Sequence, residues 1–216
     1  MKSFKLNAEP RIELGKKASK ELRKDSKIPV VLNGGEIVDL PYTGQLGAGQ
    51  KIVELPNKKG LITTDLTVTL DDVRKLIYTP DIFAIELTFN GKTVNAVLKD
   101  LQTHPVTDKI LHIDLLEVTE NKPIVMEVPV KLEGHAEGVK AGGKLVLSMK
   151  KLKVKAIYTQ IPERVAINVD NIKLGQSLKV GDLHFDNYEI VNAKNAVVCA
   201  VKLTRAARGA QANANS

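Results

Sequence analysis

Tryptophan is absent from this 216-residue chain, phenylalanine and tyrosine occur four times each, and cysteine occurs once. A single cysteine excludes an intramolecular disulfide and argues against a thiolate zinc site. Cys199 falls in the apolar run Ala196–Val201, where a buried, inert thiol is expected. No apolar run approaches the roughly 20 residues that cross a bilayer. Met1-Lys2-Ser3-Phe4-Lys5-Leu6 leads into charge rather than into the apolar centre of a signal peptide. A cytoplasmic protein is therefore expected. No serine or cysteine stands in a nucleophile signature and no carboxylate pair stands apart, so neither catalysis nor a cofactor is expected. With aromatics scarce, the core rests on Val, Ile and Leu, which favour strands.

Charge is present and unevenly placed. The formal net charge is +7; residues 1–120 hold 17 basic and 17 acidic side chains, and residues 121–216 hold 15 against 8. The neutral half is neutral only on average, because residues 1–27 carry 9 bases and 4 acids. A concentrated basic segment attracts phosphate and releases counterions. A solvated lysine-rich helix face has the same composition.

Along the chain, residues 3–8 alternate as an edge strand. Gly15 opens a basic stretch in which Ala18 and Leu22, four apart, predict a short helix that buries them and turns the lysines and Arg23 outward. Val30-Val31-Leu32 runs as a strand into Asn33-Gly34-Gly35. Glycines 44, 47 and 49 and prolines 41 and 56 suggest an elaborated loop or hairpin from about Val38 to Leu66. Those glycines lack the strand-and-helix context of a nucleotide-binding loop and are expected to form a flexible surface loop. Thr69 should cap a helix over Asp72–Tyr78 that stops before Pro80. Asn90-Gly91 between Phe83–Phe89 and Lys92–Leu98 predicts a hairpin. A strand follows at Ile110–Val118.

The polar segment 119–123, ending in Pro123, suggests a boundary between a first domain over 1–119 and a second over 123–204. In the second, strands are expected at Ile124–Leu132, Lys144–Ser148, Lys151–Tyr158, Val165–Val169 and Ala196–Leu203. The glycine-dense stretch Gly134–Gly143 predicts a shaped loop between strands, with His135 and His184 at the surface. The small, polar tail 205–216 is expected to be disordered.

The densest polar constellation is Gln102-Thr103-His104-Pro105 through His112-Ile113-Asp114. Its strand character removes the helical spacing of a metal site. His112 and Asp114, two apart on a strand, share a face. Contact with sugar hydroxyls and base edges fits these groups, as does plain structural hydrogen bonding.

In order and spacing, Arg11 with Gly15-Lys16-Lys17-Ala18-Ser19 and Leu22-Arg23, Ile28-Pro29-Val30-Val31-Leu32 into Gly34-Gly35, Gln102–Asp114, and Gly134-His135-Ala136-Glu137-Gly138 through Gly142-Gly143-Lys144-Leu145 resemble the bacterial Ctc family of ribosomal 5S rRNA-binding proteins. The resemblance implies a mainly β fold: a small N-terminal β-barrel with short helices, similar to the anticodon-binding barrel of glutaminyl-tRNA synthetase, and a β-rich C-terminal domain. It implies that the first domain binds the internal-loop region of 5S rRNA. Arg11, Lys16, Ser19, Lys20 and Arg23 would then face phosphates, and Gln102, His104, His112 and Asp114 would meet sugars or base edges. For the second domain it leaves 23S rRNA or a neighbouring ribosomal protein as partner. The chain departs from the family's pattern at Asn33, often tyrosine, and at Glu21 and Thr103, often basic. A stress-induced ribosome-associated factor and a β-barrel protein adaptor are the alternatives.

Overall fold

A computed structural model describes residues 2–56, 59–79 and 81–204, so the tail read as disordered lies outside the described residues. The chain divides after Lys122 into two compact units.

The first unit is one curled sheet of nine strands carrying two helices. In chain order these are β1 (Lys2–Asn7), β2 (Glu9–Pro10), α1 (Lys16–Lys24), β3 (Lys27–Asn33), β4 (Ile37–Asp39), β5 (Gln50–Leu55), β6 (Lys59–Thr69), α2 (Leu70–Ile77), β7 (Phe83–Phe89), β8 (Lys92–Thr103) and β9 (Ile110–Glu117). The sheet runs β1-β7-β8-β9-β3-β6-β2, with β4 and β5 also paired to β6. Two pairings are parallel, β1 with β7 and β3 with β9, and each joins segments far apart in the chain. The core is aliphatic, as the shortage of aromatics predicts. Leu6, Val30, Leu66, Val73, Ile85, Leu87, Ile113 and Leu115 are all but inaccessible.

Local chemistry explains the elements that the sequence announces. Asn90 and Gly91 take φ of 50° and 74°, the left-handed pair that a two-residue hairpin turn requires. Thr69 caps α2 by accepting a bond from the Asp72 amide. Two expectations need correction. Helix α1 buries none of its residues, and Ala18 and Leu22 are only half covered. The segment from 38 to 66, expected as an elaborated loop or hairpin, contains the antiparallel β5–β6 hairpin, and it is built into the sheet, since residues 63–68 of β6 are all buried. Gly49 is likewise not a free loop glycine. It holds φ at +78°, and a Cβ there would stand 2.6 Å from the Asp65 carbonyl oxygen. The Asp65 amide in turn donates to the Gly49 carbonyl at 2.7 Å.

At the far end of β9, burial, and secondarily the charge of Glu36, raise the Glu117 carboxyl above its ordinary value of 4.5. The folded state therefore holds that proton more tightly than the unfolded chain does. Ionisation costs stability, a cost absent below the unfolded value and complete above the raised one. Glu117→Gln should accordingly raise the melting temperature at pH 7 and leave it unchanged near pH 3, as thermal melts at the two pH values would report.

The second unit holds β10 (Ile124–Glu133), a single helical turn α3 (Glu137–Lys140), β11 (Gly143–Leu147), β12 (Lys151–Ala156), β13 (Val165–Asn168), β14 (Ser177–Lys179), β15 (Glu189–Ile190) and β16 (Val197–Leu203). These form a four-stranded sheet, β13-β10-β12-β15, and a three-stranded one, β11-β16-β14. The strict alternation of β12, with Leu152, Val154 and Ala156 inward and three lysines outward, is that of a half-buried strand. Cys199 packs with Ala136, Val169, Ile172 and Val201, and burial raises its thiol pKa, so it is a core residue of low reactivity. The glycine-dense stretch closes into α3, where a Cβ on Gly138 would meet the Leu174 amide nitrogen at 2.5 Å.

Candidate nucleic-acid interface

Helix α1 sorts its side chains by the geometry of a 3.6-residue turn. Lys16, Lys20 and Lys24 recur every fourth residue, with Lys17 and Arg23 flanking them, on the side opposite Ala18 and Leu22. Lys16 and Lys20 are exposed and make no ion pair among the described residues. Lys17 and Lys24 share this character; both were expected to point outward, but the family resemblance implied an RNA contact for neither. Four cations on one helical face repel one another, and phosphate oxygens would relieve that repulsion.

Two arginines fix the helix to its surroundings. The Arg11 guanidinium donates through Nε to the Glu13 carbonyl at 2.8 Å and through Nη2 to Ser19 Oγ at 2.9 Å. Ser19 Oγ in turn donates a hydrogen bond to the Gly15 carbonyl at 2.8 Å. Arg11 and Ser19 thus form a single braced unit at the start of α1. At the other end, Arg23 Nε donates to the Leu111 carbonyl at 3.1 Å, which fastens the helix to β9.

The residue after Leu111 begins the second half of the site. His112 Nδ1 lies 3.0 Å from Asp114 Oδ1, both side chains being about a quarter exposed. Gln102 stands opposite His112 across the β8–β9 ladder. His104 occupies the tip of that hairpin, where Asp108 turns the chain with a φ of 51°. Its Nδ1 accepts the amides of Val106 and Thr107, each at 3.3 Å.

These partners give the two imidazoles opposite polarity. In its neutral form His112 donates from Nδ1 to the carboxylate, which leaves Nε2 as an acceptor. His104 accepts at Nδ1, so its Nε2 carries the hydrogen and donates. One ring can receive a bond from a 2′-hydroxyl or an exocyclic amine, and the other can give one to a carbonyl or phosphate oxygen. Asp100 stands in register with Asp114, two carboxylates facing each other across the ladder. Like charges so placed would repel a phosphate backbone from that part of the sheet.

The structure therefore joins Arg11 with Ser19, Arg23 with β9, His112 with Asp114, and Gln102 with His112. His104 stays apart at the hairpin tip, and Lys16 and Lys20 extend outward. Asn33 ends β3 in register with Leu116, and Thr103 pairs with Ile110.

Comparison with known proteins gives concordant results. A family model described as the ribosomal L25p family matches residues 6–115, and one described as the C-terminal domain of ribosomal protein TL5 matches residues 123–205. A protein named large ribosomal subunit protein bL25 from Porphyromonas gingivalis is 54% identical over 211 residues, covering 97% of each chain. The protein of that name from Parabacteroides distasonis is 54% identical over 217 residues, covering 98% of this chain and 99% of its own. That from Bacteroides fragilis is 52% identical over 198 residues, covering 92% and 88%.

Proposed function

The chain belongs to the ribosomal L25p family, and from that premise we propose that its first unit binds 5S rRNA within the large ribosomal subunit. The protein is a structural constituent of the ribosome, not an enzyme, and works in the cytoplasm. The observation that carries the proposal is the bond from Arg23 to the Leu111 carbonyl, which sets a cationic helix against the strand bearing His112 and Asp114. Lys16, Lys20 and Arg23 meet phosphates, Arg11 and Ser19 brace the helix entry, and the polar groups of β8 and β9 read sugars and base edges. Phosphate contacts position the protein and the edge contacts select the site. Asp114 contributes to selection: RNA lacking a donor leaves the carboxylate oxygen that His112 does not hold unpaired, which penalises the wrong partner.

Titrating the full chain against 5S rRNA and an unrelated duplex at several salt concentrations tests this reading. Selective binding is expected, with log K falling by about 3 per decade of salt for the three phosphate contacts. Equal affinity for the duplex would overturn it.

For the second unit an rRNA partner is better supported than an acidic protein. Lys144 and Lys202 face each other across the β11–β16 ladder, and the three strands of that sheet contain no acidic residue. The four-stranded sheet, by contrast, pairs Lys131 with Glu133 and Lys151 with Glu127. An uncompensated cross-strand lysine pair suits a phosphate backbone.

A further inference from the structure

The first 27 residues contain four acids among nine bases, and the fold gathers all four on one side of α1. Glu9, Glu13, Glu21 and Asp25 line a single groove of about 370 Å³ between the helix and the segment that enters it. Lys27 pairs with Glu9 at 2.8 Å. Among the described residues Glu13, Glu21 and Asp25 have no cationic partner. Half-covered Ala18 and Leu22 are the apolar part of the groove, and Ile12, 80% exposed, stands at its edge. This explains why α1 buries nothing: its apolar side faces an open groove instead of a closed core.

We propose that this groove is a docking site for a Lys- and Arg-rich segment of a neighbouring protein, whose cations meet Glu13, Glu21 and Asp25 while its aliphatic side chains cover Ile12, Ala18 and Leu22. The inference goes beyond RNA binding and does not depend on which RNA the opposite face of α1 holds. Arg11 and Lys27 also line the groove, but Arg11 is held by the Glu13 carbonyl and Ser19 and Lys27 by Glu9, so a phosphate there would face the three unpaired carboxylates, which disfavours nucleic acid as the occupant. A basic segment with aliphatic flanks satisfies both halves of the lining and adds cover to a thinly packed helix. Helix α1 thus acts as a divider, with an anionic partner on one side and a cationic partner on the other. The glutamate at position 21, unfavourable for RNA, belongs to the second partner.

The test is an NMR titration of the full-length, 15N-labelled protein with a short synthetic peptide of Lys-Arg pairs alternating with leucines. Shifts confined to the amides of Ile12, Glu13, Ala18, Glu21 and Asp25 are expected. Glu21→Lys with Asp25→Lys should weaken the peptide by at least about tenfold, while affinity for 5S rRNA rises only by the few-fold that added charge on α1 contributes through solvent, a rise that salt screens away. Ile12→Ser, an exposed change that spares the fold, should weaken the peptide alone and serves if the double reversal lowers the melting temperature. Three results would overturn the proposal: no shifts in the groove, peptide affinity indifferent to the reversal and to Ile12→Ser, or RNA affinity raised about tenfold by the reversal, which would make RNA the occupant. A wild-type protein that fails to select 5S rRNA overturns the RNA assignment instead, and the peptide titration still decides the groove.

Discussion

Arg23→Ala should weaken binding to 5S rRNA by about 1–3 kcal/mol and flatten the salt dependence by about one phosphate contact. Two losses combine in that number. The guanidinium keeps its outer nitrogens for phosphate while Nε holds the Leu111 carbonyl, so alanine removes a cation and also the tie between α1 and β9. Arg23→Lys separates them. Lysine restores the charge and hence the salt slope, but its single ammonium cannot hold a phosphate and the carbonyl in the same fixed geometry. A lysine variant with a normal slope and reduced affinity would show that positioning of the helix contributes on its own. An alanine variant with an unchanged slope would show that Arg23 touches no phosphate and acts only as the tie. Filter binding across a salt series reads both quantities.

Lys51→Met should lower stability by about 1–3 kcal/mol, equivalent to a melting temperature lower by about 5 °C. The Asp65 carboxylate is 6% exposed, and Lys51 Nζ approaches it at 2.8 Å from a side chain that is 44% exposed. Methionine keeps most of the aliphatic length and deletes the charge, leaving a buried anion without its counter-ion. The half-exposed lysine keeps the cost toward the lower end of what a fully buried pair would show. Asp65→Asn with Lys51→Met should recover part of the loss, since no charge is then stranded. The effect should also reach the RNA interface, because the Arg11 amide donates to the Asp65 carbonyl at 2.9 Å. A thermal melt, followed by RNA titration at a temperature where both proteins are folded, separates the two consequences.

Legibility in the sequence followed the range of the interactions. The β7–β8 hairpin and the Thr69 cap are settled within four residues of chain, and both stand where the turn and capping chemistry puts them. Strand β6 escaped because Thr63, Thr64, Asp65 and Thr67 read as polar, whereas the sheet buries that strand on both faces and answers Asp65 with Lys51. Threonine's branched Cβ favours strands regardless of its hydroxyl, and that signal was available. In the candidate site, the pairing of His112 with Asp114 follows from a period of two. The bond joining Arg23 to Leu111 spans 88 positions and leaves no local trace. The segregation of acids around α1 is intermediate. A helical wheel puts Asp25 well round from Lys20 and Glu21 between that side and Lys17, but only the path of the entering strand brings Glu9 and Glu13 to the same groove.

The parallel pairings bear on how the protein is made. Strand β3, residues 27–33, takes its neighbour from residues 113–116, and β1 takes its neighbour from residues 83–88. Synthesis delivers Arg23 long before the strand whose Leu111 carbonyl holds it, and such non-local pairings form late in folding. A nascent chain that still lacks β9 therefore displays the α1 cations without His112 and Asp114, and on the proposed function its attraction to RNA at that stage should be indiscriminate. If the proposed site holds, selective binding requires β9 to have left the exit tunnel, and a truncated chain ending before β9 should bind RNA without selectivity.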